Sequence, residues 1–320
     1  MCVDRIVAAN GGKKACRVIG VRPCESDADL AVSTEVYNRV WPRAAFTAEE
    51  TAAWRAGYEE TLEVLGELDG EIVGSAVAAI GSVRPEHVFT LITVLPAARR
   101  RGVGTALYQA VSAWTRERDR DTLDTFAREE DPAGFDYALR HGFVEHSREA
   151  GLELRLEGIH PPPAEPPEGV EIVTLADRPD LAQALYDVAV ESFPDIPGAD
   201  DEVMQPVEEW MEHHLYAPGR HPATTWIAIA AGEPVAYAML RITPARPHTA
   251  IHAMTGVKRA WRGRGVASAL KRAQMGWAIE NGIGVLETTN ELRNAPMRRI
   301  NEKLGYAPAP GRIHLRGPLA

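Results

Sequence analysis

The chain has 320 residues, more than a single hydrophobic core usually supports, so its length predicts about two domains. Its composition, with 45% hydrophobic and 25% charged residues and with scattered glycine and proline, excludes collagen-like, coiled-coil and wholly disordered chains. The formal net charge of −10 argues against non-specific binding of nucleic acid, which depends on a positive field.

The sequence predicts no membrane span, because no segment approaches roughly 18 consecutive apolar residues. The first residues lack the apolar core of a signal peptide, and we therefore expect a cytoplasmic protein without a membrane partner. The three cysteines, Cys2, Cys16 and Cys24, form an odd, clustered set that predicts no disulfide framework. Neither a CxxC pair nor a Cys/His metal-ligand spacing occurs, so we predict no metal site.

The first half of the chain predicts a strand, a helix, a hairpin, a strand and a helix, in that order. Ser26 and Asp27 are capping residues for the first helix, and Asp69-Gly70 is a strong signal for a hairpin turn. The predicted strands are 17–22, 61–68, 72–80 and 87–94, and the predicted helices are 28–41 and 103–118.

The second half repeats this order after a proline-rich segment, GIHPPPAEPPEG, at residues 158–169. Proline fixes φ and lacks an amide donor, so neither a helix nor a strand is expected to continue through this segment. We therefore predict a leader at 1–16, a first domain at 17–157, a linker at 158–169 and a second domain at 170–320. In the second domain the predicted strands are 170–174, 225–231, 234–242 and 249–257, and the predicted helices are 178–193 and 266–281.

The two halves are related by a constant offset of 163 positions. The aligned pairs include Arg99 and Arg262, Gly102 and Gly265, Trp114 and Trp277, and Gly142 and Gly305. Because this register is kept without a gap, we interpret the chain as a tandem repeat of one domain. The alternation of strands and helices with an internal hairpin predicts an α/β fold with a mixed sheet.

Each repeat has an arginine- and glycine-rich turn between a strand and a helix, at 99–104 and at 262–267. A helix N-terminus leaves unpaired amides with partial positive charge, glycine lets a phosphate oxygen approach them, and arginine adds charged donors. A dinucleotide fingerprint would need a third glycine where Leu107 and Ser268 stand, and neither turn ends in the Gly-Lys-Ser/Thr of a P-loop. The turns predict another phosphate-containing ligand; the alternative is a basic helix start on the surface.

The pattern Arg-x-x-Gly-x-Gly/Ala resembles the pyrophosphate-binding motif of the GNAT superfamily of acyl-CoA-dependent N-acetyltransferases, and both turns match it. Gly142-Phe143 and Gly305-Tyr306 resemble the Gly-Phe pair that follows the fourth helix of the family. The resemblance implies two tandem GNAT-type domains that bind acetyl-CoA or coenzyme A. In the second copy it implies binding by Thr255, Val257, Arg262, Gly263, Arg264, Gly265, Val266, Ala267, Asn290 and Asn294. In the first copy the corresponding set is Val94, Arg99, Arg100, Arg101, Gly102, Val103 and Gly104.

The copies differ in the stretch that follows the fifth predicted strand. Asn290, Asn294 and Asn301 of the second copy align with Ala127, Asp131 and Ala138 of the first. Asparagine offers donors and acceptors to an amide-containing ligand, and the resemblance implies that an asparagine here bonds the pantetheine arm. We therefore favour the second domain as the catalytic one; the alternative is that these asparagines cap helices.

The resemblance also implies a general base and a site for the developing oxyanion. The usual carboxylate is replaced by Ile251, and the neighbouring His252 is the candidate base, with a core or solvent-facing histidine as the alternative. A backbone amide where the strand bulges open, near Val257, is the candidate donor to the oxyanion.

The usual tyrosine acid of the family is replaced by Asn301, which cannot donate a proton to the leaving thiolate. Either another tyrosine (Tyr306, Tyr237 or Tyr216) serves, or the thiolate leaves without strong acid assistance.

The segment 193–197 lies where GNAT proteins have a mobile loop that closes over the acceptor. Asp195, or the run Asp200-Asp201-Glu202, is a candidate to attract a cationic amine, and a solvated acidic loop is the alternative.

These features favour an N-acetyltransferase that transfers acetyl from acetyl-CoA to a primary amine of a small molecule by direct attack on the thioester. The alternative from another class is a non-catalytic acetyl-CoA-binding regulatory or scaffold protein. Within the enzymes, mycothiol synthase, an antibiotic-modifying acetyltransferase and a protein N-acetyltransferase remain alternatives. We expect a monomer, because an internal duplication can reproduce the geometry of a homodimer within one chain; a homodimer is the alternative.

Overall fold

The computed structural model describes residues 6–7, 18–161, 163–197 and 202–320. Most of the predicted leader, with Cys2 and Cys16, lies outside the described residues, as do Asp200 and Asp201 of the acidic run. Cys24 is described and is a free thiol. The chain forms two compact units. The first comprises Met1–Ala127, Asp131–His146 and His314–Ala320, and the second comprises Arg128–Glu130 and Ser147–Ile313.

The first unit is built on a mixed sheet in which the strand order follows the chain order from β1 to β6. All neighbouring strands are antiparallel except β5 and β6, which are parallel. The strands are β1 (Ile6–Val7), β2 (Val18–Pro23), β3 (Glu60–Leu68), β4 (Glu71–Ile80), β5 (Val88–Val94) and β6 (Leu123–Arg128). The helices are α1 (Asp27–Val40), α2 (Ala48–Ala56), α3 (Val103–Arg116) and α4 (Pro132–Arg140).

Local sequence signals act in this unit as expected. Ser26 accepts a hydrogen bond from the amide of Asp29 and so caps α1. Asp69 and Gly70 both have positive φ, 55° and 88°, as the hairpin turn between β3 and β4 requires. Helix α2 was not predicted, although Thr47 and Glu50 form a reciprocal capping box that starts it.

The second unit repeats the architecture of the first. The strands that lie wholly or mostly in it are β7 (Val144–Arg155), β8 (Val170–Thr174), β9 (Arg220–Ala230), β10 (Glu233–Ile242), β11 (Thr249–Val257), β12 (Val285–Glu291) and β13 (Ala307–Gly317). Its helices are α5 (Ala184–Ser192), α6 (Val207–Trp210), which continues as a π-helical turn at Met211–Leu215, α7 (Val266–Glu280) and α8 (Ala295–Lys303). The order β8-β9-β10-β11-β12 matches β2-β3-β4-β5-β6, and again only the last pair is parallel. This repeated order confirms the predicted tandem α/β fold.

The units do not begin and end where the sequence-based domains do. Residues 147–157 belong to the second unit, where β7 pairs antiparallel with β12 and places Leu152 and Leu154 in the core. Residues 314–320 belong to the first unit, where the hydroxyl of Tyr108 donates to the carbonyl of Pro318 at 2.7 Å. Each unit is therefore completed by a strand segment from the other half of the chain.

The core of the second unit lies on both faces of its sheet because β10 is buried on both sides. Ala238 and Leu240 pack on the face covered by α7, whereas Tyr237 and Met239 pack on the face covered by α5 and Trp210. The alternation of side chains along a strand accounts for this division. The strand after β10, which is β11, therefore passes between the same two layers.

Candidate active site

In each unit the two parallel strands separate after a short paired segment. Strands β11 and β12 pair only where Thr249–Ile251 faces Val285–Glu287, and β5 and β6 pair only at Val88–Phe89. Beyond these residues the two strands are no longer paired with each other, and we call the space between their unpaired parts the wedge. Main-chain groups along such a wedge can bond an extended, amide-containing ligand. The glycine turns lie where β5 and β11 end, at the end of each wedge that is farther from the paired residues.

The turn of the second unit is open. Gly263 and Gly265 have φ of 71° and 89°, and a Cβ placed on either would meet no described heavy atom within 4 Å. Gly265 is the N-cap of α7, and no described side chain caps this helix start. Arg262 is held beside it, because its Nε donates to the carbonyl of Val257 at 3.0 Å. Open amides beside a fixed arginine fit the pyrophosphate of coenzyme A.

The turn of the first unit has the same backbone and is covered by side chains. Arg99 Nε donates to the carbonyl of Val94 at 3.1 Å, in the manner of Arg262. A Cβ on Gly102, however, would lie 2.8 Å from Cδ1 of Ile19, and one on Gly104 would lie 3.8 Å from the ring of Tyr137. Arg99 also pairs with Asp131 of α4 at 2.9 Å, with both side chains at most half-exposed. Side chains of the unit itself therefore occupy the space in front of this turn.

The three asparagines of the second unit bond mainly to the protein itself. Asn294 is the N-cap of α8 and accepts from the amide of Met297 at 3.3 Å, as the helix-capping alternative requires. Asn301 is fully buried, and its Nδ2 donates to Oδ1 of Asn290 at 2.6 Å. Oδ1 of Asn301 has no partner among the described residues. Asn290 lies on β12 beyond the paired segment, so it is the member of this set that borders the wedge.

Strand β11 carries a β-bulge in the part that borders the wedge. Met239 faces Met254 but Leu240 faces His252, so Ala253 is an extra residue. The bulge lies at Ala253 rather than at Val257, where the sequence placed it. The equivalent ladder of the first unit, β4 with β5, is regular from Gly74–Val94 to Ala79–Phe89.

His252 lies in the core, beside this bulge. Its side chain is buried, and Nε2 lies 2.5 Å from the hydroxyl of Tyr306. Burial, and secondarily the charge of Lys271, holds the pKa of His252 well below its usual value. The structure thus gives His252 the surroundings of a core histidine, and its role as a base stays a prediction.

The candidate tyrosine acids have different surroundings. Tyr306 is bonded to His252, Tyr237 is fully buried, and burial raises the pKa of both. Tyr216 is exposed, immediately after the π-helical turn. The structure brings none of these hydroxyls together with the open turn, and the acid stays unassigned.

Two buried polar residues of α7 were missed by sequence reasoning. Lys271 and Gln274 are 2% and 0% exposed and lie on the face of α7 that packs against the sheet. Nζ of Lys271 is 5.5 Å from the centre of the Tyr306 ring. The repeat offered a signal for this burial, because Lys271 and Gln274 align with Tyr108 and Val111 of the first copy, and a tyrosine and a valine on a helix are commonly buried.

Asp195 contacts the basic residues beside the open turn. It pairs with Arg262 at 2.8 Å and with Arg259 at 2.9 Å. Hydrogen bonds from Arg259 and then Arg262 lower the pKa of Asp195 to about 2. In this structure its carboxylate therefore binds arginine, and attraction of an amine by Asp195 stays a prediction.

Two classes of site are not seen among the described residues. No group of three or more His, Cys, Asp or Glu side chains there is arranged to hold a metal ion. No described helix is both long enough and apolar enough to cross a membrane.

The model of the acetyltransferase (GNAT) family matches residues 30–143 and 182–306, one match in each half. No curated protein sequence matches the chain. A GCN5-related N-acetyltransferase from Sphaerobacter thermophilus has a TM-score of 0.72 at 22% identity, over 94% of this chain and 95% of that one. A tandem GNAT protein from the clavulanic acid biosynthesis pathway has a TM-score of 0.75 at 19% identity, over 94% and 98%. These likenesses show a shared fold, and the family match covers most of the sequence. The chain therefore belongs to the GNAT family as a tandem member, and it is an acyl-CoA-dependent acetyltransferase that uses acetyl-CoA.

Proposed function

We propose that the second unit catalyses transfer of acetyl from acetyl-CoA to a primary amine of a small molecule. The observation that carries this assignment is the difference between the two glycine turns. The turn at Gly263 and Gly265 is open, whereas Ile19 and Tyr137 lie against the turn of the first unit. On this account the first unit is structural or binds coenzyme A weakly.

The residues present in the second unit fit acetyl-CoA, which supplies an activated acyl thioester when bound. Arg262 and the first amides of α7 would hold the pyrophosphate. Main-chain groups of β11 between Thr255 and Val257 would bond the pantetheine arm along the wedge. An amide freed by the bulge at Ala253 would donate to the acyl carbonyl oxygen and stabilise negative charge on it.

The acceptor must present a neutral nitrogen, although a free aliphatic ammonium has a pKa of about 10. The acidic character of the chain, with a net charge of −10, supports a cationic amine as the acceptor because it attracts positive charge. The small-molecule acceptor, the monomeric state and the cytoplasmic location stay predictions from the sequence.

The second candidate function is an acetyl-CoA-binding protein without turnover. The burial of His252 and the replacement of the usual tyrosine by Asn301 favour it. Release of free thiol from acetyl-CoA, measured across a panel of amines, separates the two. Thiol release that depends on one class of amine supports the transferase, whereas binding without release with every amine supports the alternative.

A matched pair of substitutions tests which unit is catalytic. Gly102 and Gly265 have positive φ, so any side chain there strains the helix start. A loss of activity could then come from this strain rather than from the charge at the turn. Ala267→Glu and Gly104→Glu instead place a carboxylate at aligned positions in the first turns of α7 and α3, where helices tolerate acidic residues. We expect Ala267→Glu to abolish turnover and Gly104→Glu to retain most of it. The reverse pattern would assign catalysis to the first unit.

A further inference from the structure

A group of polar side chains is buried in the second unit where an apolar core is expected. His252, Lys271, Gln274 and Tyr306, which we call the polar cluster, come from β11, from α7 and from the residue before β13, and all are buried. Nδ1 of His252 and both polar atoms of the Gln274 amide have no hydrogen bond of good geometry among the described residues, although the Gln274 side chain is near enough to His252 to act on its pKa. Poorly bonded polar groups in a core lower stability, so stability does not explain the polar cluster.

The first unit shows that the fold does not require these polar groups. The residues aligned with Lys271, Gln274 and Tyr306 are Tyr108, Val111 and Phe143. The strand pairing places Thr90, whose hydroxyl donates to the carbonyl of Val77, at the position of His252. Tyr108 packs against Phe143 with ring centres 6.0 Å apart, and its hydroxyl is satisfied by Pro318. The same architecture is therefore built at these four positions without a buried histidine, lysine or glutamine, and with the hydroxyls of Thr90 and Tyr108 both bonded.

The polar cluster occurs together with the bulge. His252 immediately precedes the extra residue Ala253, and its Nε2 accepts the hydroxyl of Tyr306 when the imidazole is neutral. In the first unit the ladder is regular through Thr90, the residue at the position of His252. A slip of β11 by one residue would remove the bulge and turn the side chain of residue 252 to the opposite face of the sheet. The hydrogen bond to Tyr306 opposes this slip, because the slip would leave both buried groups unpaired.

We propose that His252 is a positioning residue, held by the Tyr306 hydroxyl and enclosed by Lys271 and Gln274, that fixes the bulge of β11 at Ala253. The fixed bulge determines the position of the backbone amides that face the acyl end of the wedge. This inference rests on the proposed function, since it matters for turnover only if the second unit is catalytic.

Removal of a single hydroxyl tests the proposal with little change in shape. We expect Tyr306→Phe to speed amide hydrogen exchange at Ala253 and Met254 in the protein without coenzyme A by about tenfold, the effect of losing one buried hydrogen bond. The same variant should lower kcat by about tenfold and change the calorimetric affinity for coenzyme A by less than about twofold. His252→Phe, which removes the acceptor for the Tyr306 hydroxyl, should act in the same direction. His252→Gln keeps an acceptor for Tyr306 and should restore most of the exchange protection and of kcat.

Tyr108→Phe is the matched control, because it deletes a buried hydroxyl of the first unit, at the position aligned with Lys271, and it should leave exchange in β11 and kcat unchanged. Unchanged exchange and kcat in Tyr306→Phe would overturn the proposal. A loss of coenzyme A affinity as large as the loss of kcat would also overturn it, because the polar cluster would then be merely structural. Failure of the proposed function is recognised separately, since Ala267→Glu would then retain turnover whatever the exchange at Ala253 shows.

Discussion

Helices α3 and α7 begin in the same way, yet only one of them begins next to open space. Each follows a left-handed glycine, and each has an arginine fixed to the last carbonyl of the preceding strand. Ile19 and Tyr137 lie against the start of α3, whereas no described atom lies within 4 Å of a Cβ on Gly265. A duplicated motif therefore preserves the backbone of a binding turn, and the neighbouring side chains decide whether a ligand can reach it.

The two units also differ along β5 and β11 and in the core against which these strands pack. The second unit has a bulge and a buried polar cluster where the first has a regular ladder and, at the corresponding positions, no buried histidine, lysine or glutamine. Substitutions in the polar cluster and beside the two glycine turns test these differences. Their expected effects decrease from the buried lysine of α7, through the two motif arginines, to the carboxylate beside the open turn.

The largest effect is expected at Lys271, which lies in the core of the second unit beside His252 and Tyr306. Burial lowers the pKa of Lys271 from 10.5 to about 7, so the unfolded chain binds more protons between about pH 7 and pH 10.5. Its contribution to the free energy of unfolding therefore rises with pH through this window, and the full penalty is present below it. We expect Lys271→Met to stabilise the protein at pH 7 by several kcal/mol and to flatten this slope. Urea unfolding of the wild type and of Lys271→Met at about pH 7 and about pH 9.5 measures the free energy of unfolding and its change with pH. The same change with pH in both proteins would contradict this prediction.

The two motif arginines give the next effect. Arg262 lies beside the open turn, and Arg262→Ala should weaken coenzyme A binding by about tenfold through loss of a charged donor. Arg99→Ala should leave the affinity unchanged and instead lower stability, because it leaves Asp131 half-buried without its partner. Calorimetry and thermal unfolding of both variants separate these outcomes. Equal losses of affinity would show that the covered turn also binds.

The smallest effect is expected at Asp195, whose carboxylate forms an ion pair with Arg262 in the absence of a ligand. Because Asp195→Asn frees this arginine for the pyrophosphate, affinity for coenzyme A should rise by up to about fivefold, as expected for an exposed ion pair. Asp180→Asn is the matched control, since it breaks another exposed pair, with Arg178. A fall in affinity in Asp195→Asn would show that the carboxylate helps to bind the ligand.

The features that sequence predicted well are those specified by neighbouring residues. The Asp69-Gly70 turn, the cap at Ser26 and the two glycine turns each depend on a few consecutive positions, and the offset of 163 made the repeat visible. The capping box of Thr47 and Glu50 also depends on a few consecutive residues, so helix α2 could have been predicted from it.

The features that sequence did not predict depend on distant residues. The partner of β7 is β12, which follows more than a hundred residues later, and no periodicity within β7 specifies that pairing. Burial of Lys271 and Gln274 likewise depends on how α7 packs against the sheet, and a lysine and a glutamine on a helix are ordinarily exposed. The mutual bond of Asn290 and Asn301 is of the same kind.

We infer that the second unit binds the cofactor at its open turn and that the covered turn of the first unit does not. Calorimetric titration of coenzyme A into the wild-type chain and into Ala267→Glu distinguishes the two turns. We predict one binding event per chain, lost in Ala267→Glu and retained in Gly104→Glu. Two equivalent sites in the wild-type chain, or binding that survives Ala267→Glu and disappears in Gly104→Glu, would contradict it.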